Sequence, residues 1–281
     1  MKLVRKYELL LLCLFIHAAF GCNKKIGGDE PTASQTPLPS LDRWTLVWND
    51  EFDGPNIDAT KWSYEVNGNG GGNNELQYYT DRPKNSYIDS GKLVIQALQE
   101  NYSGRNYTSA RMRTLGKGDW LYGRFDIRAK LPYGTGTWPA IWMLPTDKFY
   151  GDWPQSGEID IMEHVGYDPN VIHASTHTLK YYFKINTQKT ATIKLTNVFT
   201  EFHIYTMEWY SDRIDCFVDG TKYFSSLNDS TGWQAWPFDK RFHLLLNVAI
   251  GGDWGGVKGV DNSIFPQKME VDYVRVYKKS N

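Results

Sequence analysis

The sequence predicts an all-β domain, a two-sheet antiparallel β-sandwich of jelly-roll type with a concave cleft. Short stretches that alternate apolar with polar residues follow one another from residue 46 to residue 279. Turn signals separate them: Asp89-Ser90-Gly91, Pro132-Tyr133-Gly134, Asp219-Gly220 and Gly251-Gly252. No segment carries the long 3.6-residue apolar period of an amphipathic helix.

Taken in order, strands are expected at 46–52, 92–100, 108–114, 122–132, 137–144, 202–210, 213–224, 242–250 and 269–279. In "RFDIRAK" Phe125, Ile127 and Ala129 point one way, while Arg124, Asp126, Arg128 and Lys130 point the other. Strands that are apolar on one face, with no helices to cover them, bury that face against a second sheet.

The first residues stand apart from this pattern. Lys2, Arg5 and Lys6 precede an apolar run, Leu9 to Phe20, and then Gly21 and Cys22. The run falls short of the ~20 residues of a membrane span, and its basic start and small residue before the cut read as an export signal. Residues 1–21 are expected to be removed, with Cys22 the lipidated residue of a bacterial lipoprotein at the cell envelope. Residues 22–41, rich in Gly, Pro, Ser and Thr, read as a flexible tether to a domain at 42–281. Of the three cysteines only Cys216 belongs to the domain, which excludes a disulfide framework or a cysteine-built zinc site. Lys2, Arg5, Lys6 and Glu8 leave with the signal, taking 31 basic and 32 acidic residues to 28 and 31, a net charge of −3. That balance offers no footprint for nucleic acid, and contact with a membrane is expected only through the anchor. Aromatic residues make up 15% of the chain, with 11 Trp and 18 Tyr. Filling a sandwich core accounts for part of that excess; the rest points to carbohydrate, whose apolar C–H faces stack on aromatic rings.

The densest chemistry lies in "GEIDIMEHVG", residues 157–166. On a strand Glu158 and Asp160 share a face and Ile159 and Ile161 share the other. Glu163 is five positions from Glu158, so a regular strand would turn it into the core, where an unpaired charge is costly. A β-bulge around Ile161-Met162 resets the alternation and returns Glu163 to the face of the other two. Three readings fit such a cluster. Retaining glycosidases need two carboxyl groups about 5–5.5 Å apart, and an aspartate between them would keep the donor protonated. A hard cation would also accept such a set. A solvated strand face without function is the third.

The same segment resembles the Glu-x-Asp-x-x-Glu signature of glycoside hydrolase family 16. The similarity continues through "LVWNDEF", "NNELQYYT", "YTSARMRT", "YGRFDIRAKLPYGTGTWPAIWML", "WPQSGEIDIMEHVG", "FHIYTMEWY", "LLLNVAIGGDW" and "FPQKMEVDYVRVY", roughly residues 44–278. The residue Met162, absent from lichenases and xyloglucan endotransglycosylases, is typical of the laminarinase-like endo-β-1,3-glucanases. The resemblance implies a retaining hydrolase that acts as a monomer on β-glucan without a catalytic cofactor. It implies Glu158 as nucleophile, Glu163 as acid/base and Asp160 as the assisting carboxylate. It further implies Trp138, Trp142 and Trp153 as sugar platforms, and Asn74, Glu75, Arg111, His177, Asn247 and Trp254 as cleft residues. A structural calcium away from the cleft would be held by Glu51, the Gly91 carbonyl and Asp272. Other substrates within the family are mixed-linkage β-glucan and the galactans agar and carrageenan. A glucan-binding protein without catalysis is the remaining alternative, although such members lack the glutamates kept here. "NGNGGGNNE" (67–75) is glycine-dense, but no strand–loop–helix pattern follows it, so it reads as a cleft-rim loop and not as a phosphate loop.

Overall fold

The computed structural model describes residues 43–280; the expected leader, Cys22 and the expected tether lie outside the described residues. Two sheets face each other. The sheet that carries the cleft runs in the order Lys189–Lys194, Val171–His177, Glu158–Glu163, Thr137–Pro145, Phe242–Ile250, Arg111–Arg113 and Ser63–Tyr64, with Asp119–Trp120 also paired to Phe242–Ile250. The back sheet runs Thr221–Leu227, Arg213–Val218, His203–Trp209, Gly123–Lys130, Gln267–Lys279, Lys92–Tyr102, Arg105–Ser109 and Gln77–Tyr79. Trp44–Asp50 adds to Gln267–Lys279, and Ser86–Asp89 to Lys92–Tyr102. This is the antiparallel sandwich that the alternation predicts, with one parallel pair among the described residues, between Gln77–Tyr79 and Arg105–Ser109.

The expected alternation holds where it decides the core. Phe125, Ile127 and Ala129 are fully buried and meet Ile141, Met143, Leu244, Leu246 and Val248 of the cleft sheet. On the other face of the back sheet the charged partners lie in ion pairs: Arg124 with Asp126 and Glu208, Arg128 with Asp272, and Lys130 with Glu270. Asp219 and Gly220 both have positive φ, 48° and 80°, the type I′ geometry that folds the expected strand 213–224 back as a hairpin. Phe242–Ile250 is buried at every position. One side of it packs in the core, and the other side, with Leu245, Asn247 and Ala249 opposite Trp142, Ala140 and Trp138, forms the floor of the cleft.

The pattern reading missed six strands, of which Val171–His177 matters most because it pairs directly with the carboxylate strand. Its core positions Ala174 and Thr176 are small or polar, so its alternation is too shallow to register.

Phe125 is fully buried with its ring 5.4 Å from that of Trp120. Phe125→Ala is expected to cost about 3–5 kcal/mol and lower the melting temperature by roughly 10 °C, read by calorimetry.

Candidate active site

The strand Glu158–Glu163 pairs with Thr137–Pro145 on one side and Val171–His177 on the other. Against the first, Asp160 faces Trp142 and Met162 faces Ile141, so Ile161 has no partner. Against the second, Asp160 faces Ser175 and Glu163 faces His173, three steps against two. A bulge therefore sits where the carboxylate spacing requires it. The register makes Ile161 the skipped residue beside Thr137–Pro145, where the sequence reading assigned the insertion to Met162. Both side chains point into the core, 1% and 0% exposed. Glu158, Asp160 and Glu163 consequently share the cleft face with Trp138 and Trp142.

Their electrostatics follow from burial. Asp160 is 2% exposed, and Glu158 and Glu163 are open only toward the cleft. Loss of water pushes all three carboxyls upward, and the Asp160 charge adds to the effect on both glutamates. Glu158 is raised to about 8 and Glu163 well above the carboxylate range. Asp160 is raised as well, while its hydrogen bond with Glu158 favours its ionised form. Three such groups cannot ionise together. All three are therefore held toward their protonated forms, with the His177 Nε2 atom 3.3 Å from Asp160 Oδ2 beside the Glu158–Asp160 pair. The Trp138 indole N–H donates to Glu163 Oε1 at 3.0 Å and orients it.

A second network braces the floor. Glu75, 2% exposed, accepts from Gln77 Nε2 (2.6 Å), the Tyr79 hydroxyl (2.8 Å) and Arg111 (3.2 Å). Asn247 donates to Tyr79 at 3.2 Å and accepts from the Trp142 indole at 2.7 Å, and the Arg111 guanidinium lies 5.2 Å from the Trp142 ring. Glu75 and Arg111 thus hold the strand bearing Trp142, with Glu75 beneath the surface. Gly71 passes so close over Glu75 that a Cβ there would collide with its carboxylate. Asn74 turns to Asp253 at 2.9 Å, and its neighbour Asn73 lines the cleft instead.

Beyond the carboxylates the cleft widens to a cavity of about 590 Å³ walled by Trp142, Trp153, Phe183, Arg111 and Arg113. Trp153 is the most open of the three expected platforms, 36% exposed, with its ring 5.6 Å from those of Tyr182 and Phe183. Trp138, 9% exposed, offers its edge to Glu163 more than a free face. On that side Trp254 packs 5.4 Å from Trp138 and 4.9 Å from His173.

Tyr79, Gln77, His173 and Phe183 were absent from the sequence-derived set. Glu75, Gln77 and Tyr79 stand at alternate positions of "NNELQYYT", a spacing that puts all three on one strand face and was there to be read.

The residues expected to hold calcium do not fit it as they stand. Glu51 binds Arg275 through both oxygens, at 2.9 and 2.8 Å, and Asp272 binds Arg128 at 2.6 Å. Both carboxylates are neutralised by guanidinium groups, and no role is assigned to an ion there. One ligand atom each from Glu158, Asp160 and His177 lies within 4.8 Å of the others. That trio supplies two carboxylates and a nitrogen, short of the six or more oxygens calcium prefers.

A β-sandwich whose cleft floor presents paired carboxyls, held toward their protonated forms by burial, beneath indole walls defines a glycoside hydrolase. The chain belongs to glycosyl hydrolases family 16, whose family model matches residues 66–275. It is 47% identical over 286 residues to a beta-glucanase from Rhodothermus marinus, covering 99% of this chain and 96% of that one. The crystal structure of the laminarinase from Rhodothermus marinus superposes with a TM-score of 0.83 at 50% identity, over 85% of this chain and 98% of that chain. A mutant of a non-specific endo-beta-1,3(4)-glucanase, co-crystallised with a glucan oligosaccharide, matches at TM-score 0.83 and 46% identity, over 86% and 98%. Hydrolysis in this family retains anomeric configuration and needs no cofactor.

A raised carboxyl binds its proton more tightly in the folded than in the unfolded chain. Its contribution to stability therefore falls as pH rises from the ordinary value near 4.5 toward the raised one. Glu163→Gln removes that dependence. Its melting temperature relative to wild type is expected to climb by about 2–5 °C between pH 5 and pH 8, measured by differential scanning fluorimetry. A pH-independent difference would contradict the assignment.

Proposed function

We propose that the chain is an endo-β-1,3-glucanase that hydrolyses laminarin-type β-glucans by double displacement. The observation that carries the reading is the bulge that brings Glu163 onto the face of Glu158, beneath indole walls, in a chain nearly half identical to a beta-glucanase over its length. In the first step a Glu158 oxygen attacks the anomeric carbon, and Glu163 gives its proton to the departing glycosidic oxygen as the C–O bond breaks. In the second, Glu163, now ionised, takes a proton from water. The water oxygen forms the new bond to the anomeric carbon, and Glu158 leaves. Asp160 shares the negative charge of Glu158, and His177 borders that pair.

The chemistry of the walls supports an uncharged substrate. Arg111 and Arg113 are paired with Glu65, and Lys148 with Asp152, while Lys184 leans on the Trp153 and Phe183 rings. A sulfated galactan would find few uncommitted cations in the cavity. Mixed-linkage β-glucan is the second reading, favoured by the likeness to a non-specific endo-beta-1,3(4)-glucanase. A purely binding role is disfavoured because both glutamates are present.

The proposal extends to location: export, lipid attachment at Cys22, and action as a monomer at the cell envelope. Cys22→Ser is expected to shift activity from the membrane fraction to the soluble fraction; unchanged partition would refute the anchor.

Reducing-sugar release from laminarin, lichenan and agarose in parallel tests the substrate. Laminarin is expected to be cleaved fastest and agarose not at all, and an enzyme inert on laminarin would overturn the reading. Glu158→Ser and Glu163→Ala should each lower turnover of laminarin by at least about a hundredfold while the oligosaccharide still binds.

A further inference from the structure

Two irregularities meet across the sandwich. In the cleft sheet Ile161 is the residue passed over by the register between Asp160 and Met162. In the back sheet Cys216 faces Phe224 and Phe217 faces Lys222, so Tyr223 is passed over in the strand Thr221–Leu227. The two skipped residues touch: the Tyr223 hydroxyl donates to the Ile161 carbonyl at 3.2 Å.

A bulge interrupts the ladder, and a carbonyl buried there needs a donor from elsewhere. Regular alternation would set Tyr223 on the face opposite to Phe224 and Lys222 on the inner one; the irregularity at Tyr223 brings its ring to the interior instead. The neighbouring Tyr205 offers a comparison, since it is fully buried and its hydroxyl has no partner among the described residues. Tyr205 fills space, whereas Tyr223 makes one directed contact two residues from Glu163.

We infer that Tyr223 is a positioning residue for the acid/base: its hydroxyl pins the Ile161 bulge, and the bulge sets the direction in which Glu163 leaves the strand. Losing that bond leaves the bulge free to migrate, and a one-residue slip would turn Glu163 toward the core. Smaller shifts matter too, because a proton donor displaced by about 1 Å from the glycosidic oxygen forfeits much of its effect. Burial holds the Tyr223 phenol protonated far above its ordinary range, so the donor is present at any working pH.

The inference rests on the acid/base role of Glu163 and not on the identity of the glycan. Tyr223→Phe keeps the ring and removes the hydroxyl. It is assayed in the full chain on the polysaccharide that wild type cleaves, and on a dinitrophenyl glycoside whose leaving group departs without a proton. On the polysaccharide kcat and kcat/KM are expected to fall about ten- to a hundredfold with KM within about twofold, while kcat/KM on the aryl glycoside stays within about threefold. Tyr205→Phe should leave every parameter at the wild-type value. Glu163→Ala separates the two levels of the claim. If it loses equally on both substrates, the acid/base role falls and this inference with it. If it shows the leaving-group pattern and Tyr223→Phe keeps wild-type kcat, the Tyr223 inference alone is overturned. Equal loss on both substrates in Tyr223→Phe, the mark of damaged packing, overturns it as well.

Discussion

Three carboxyl groups held side by side in a place poor in water repel one another, and most of the cleft answers to that repulsion. Burial disfavours charge on each of Glu158, Asp160 and Glu163, and proximity disfavours more than one charge at a time. Asp160 lies against His177 and hydrogen-bonds with Glu158, while Glu163 stands apart from that pair under the Trp138 N–H. Identical side chains are thus set in different surroundings, as the proposed division into nucleophile and acid requires.

The arrangement exists only because the strand is irregular. Ile159, Ile161 and Met162 bury three apolar side chains in the core, and the bulge reconciles that burial with a third carboxyl on the opposite face. The floor strand Phe242–Ile250 is closed on both sides, and its Asn247 links to Trp142 on one hand and to Tyr79, Glu75 and Arg111 on the other. Arg111 is buried against that network as its cation, so the bracing charges cancel locally and the cleft surface stays close to neutral. A neutral, aromatic, rigid floor suits a polyhydroxylated ligand that carries no charge of its own.

Much of this was legible in the residues, and the failures have physical causes. Alternation placed Phe125, Ile127 and Ala129 on one face, and the five-residue step from Glu158 to Glu163 called for a bulge. The skipped residue proved to be Ile161 beside Thr137–Pro145, because spacing fixes the number of extra residues and not which one the neighbouring strand passes over. Val171–His177 was invisible since its inward residues include Ala174 and Thr176. Tyr79 could be read from its alternate spacing with Glu75 and Gln77, but its bond to Asn247 across 168 positions and that of Tyr223 to Ile161 across 62 leave no local trace. The guanidinium partners of Glu51 and Asp272 were hidden for a similar reason: Arg275 and Arg128 come from other strands.

The proposed mechanism requires Glu158 to be the nucleophile in the covalent step and Glu163 the proton carrier. A 2-deoxy-2-fluoro glycoside with a good leaving group accumulates the glycosyl–enzyme, and peptide mapping by mass spectrometry locates the attachment. The account predicts one adduct, on Glu158, formed by wild type and by Glu163→Ala alike. An adduct on Glu163 or Asp160, or a trapped enzyme with Glu158 unmodified, would contradict it.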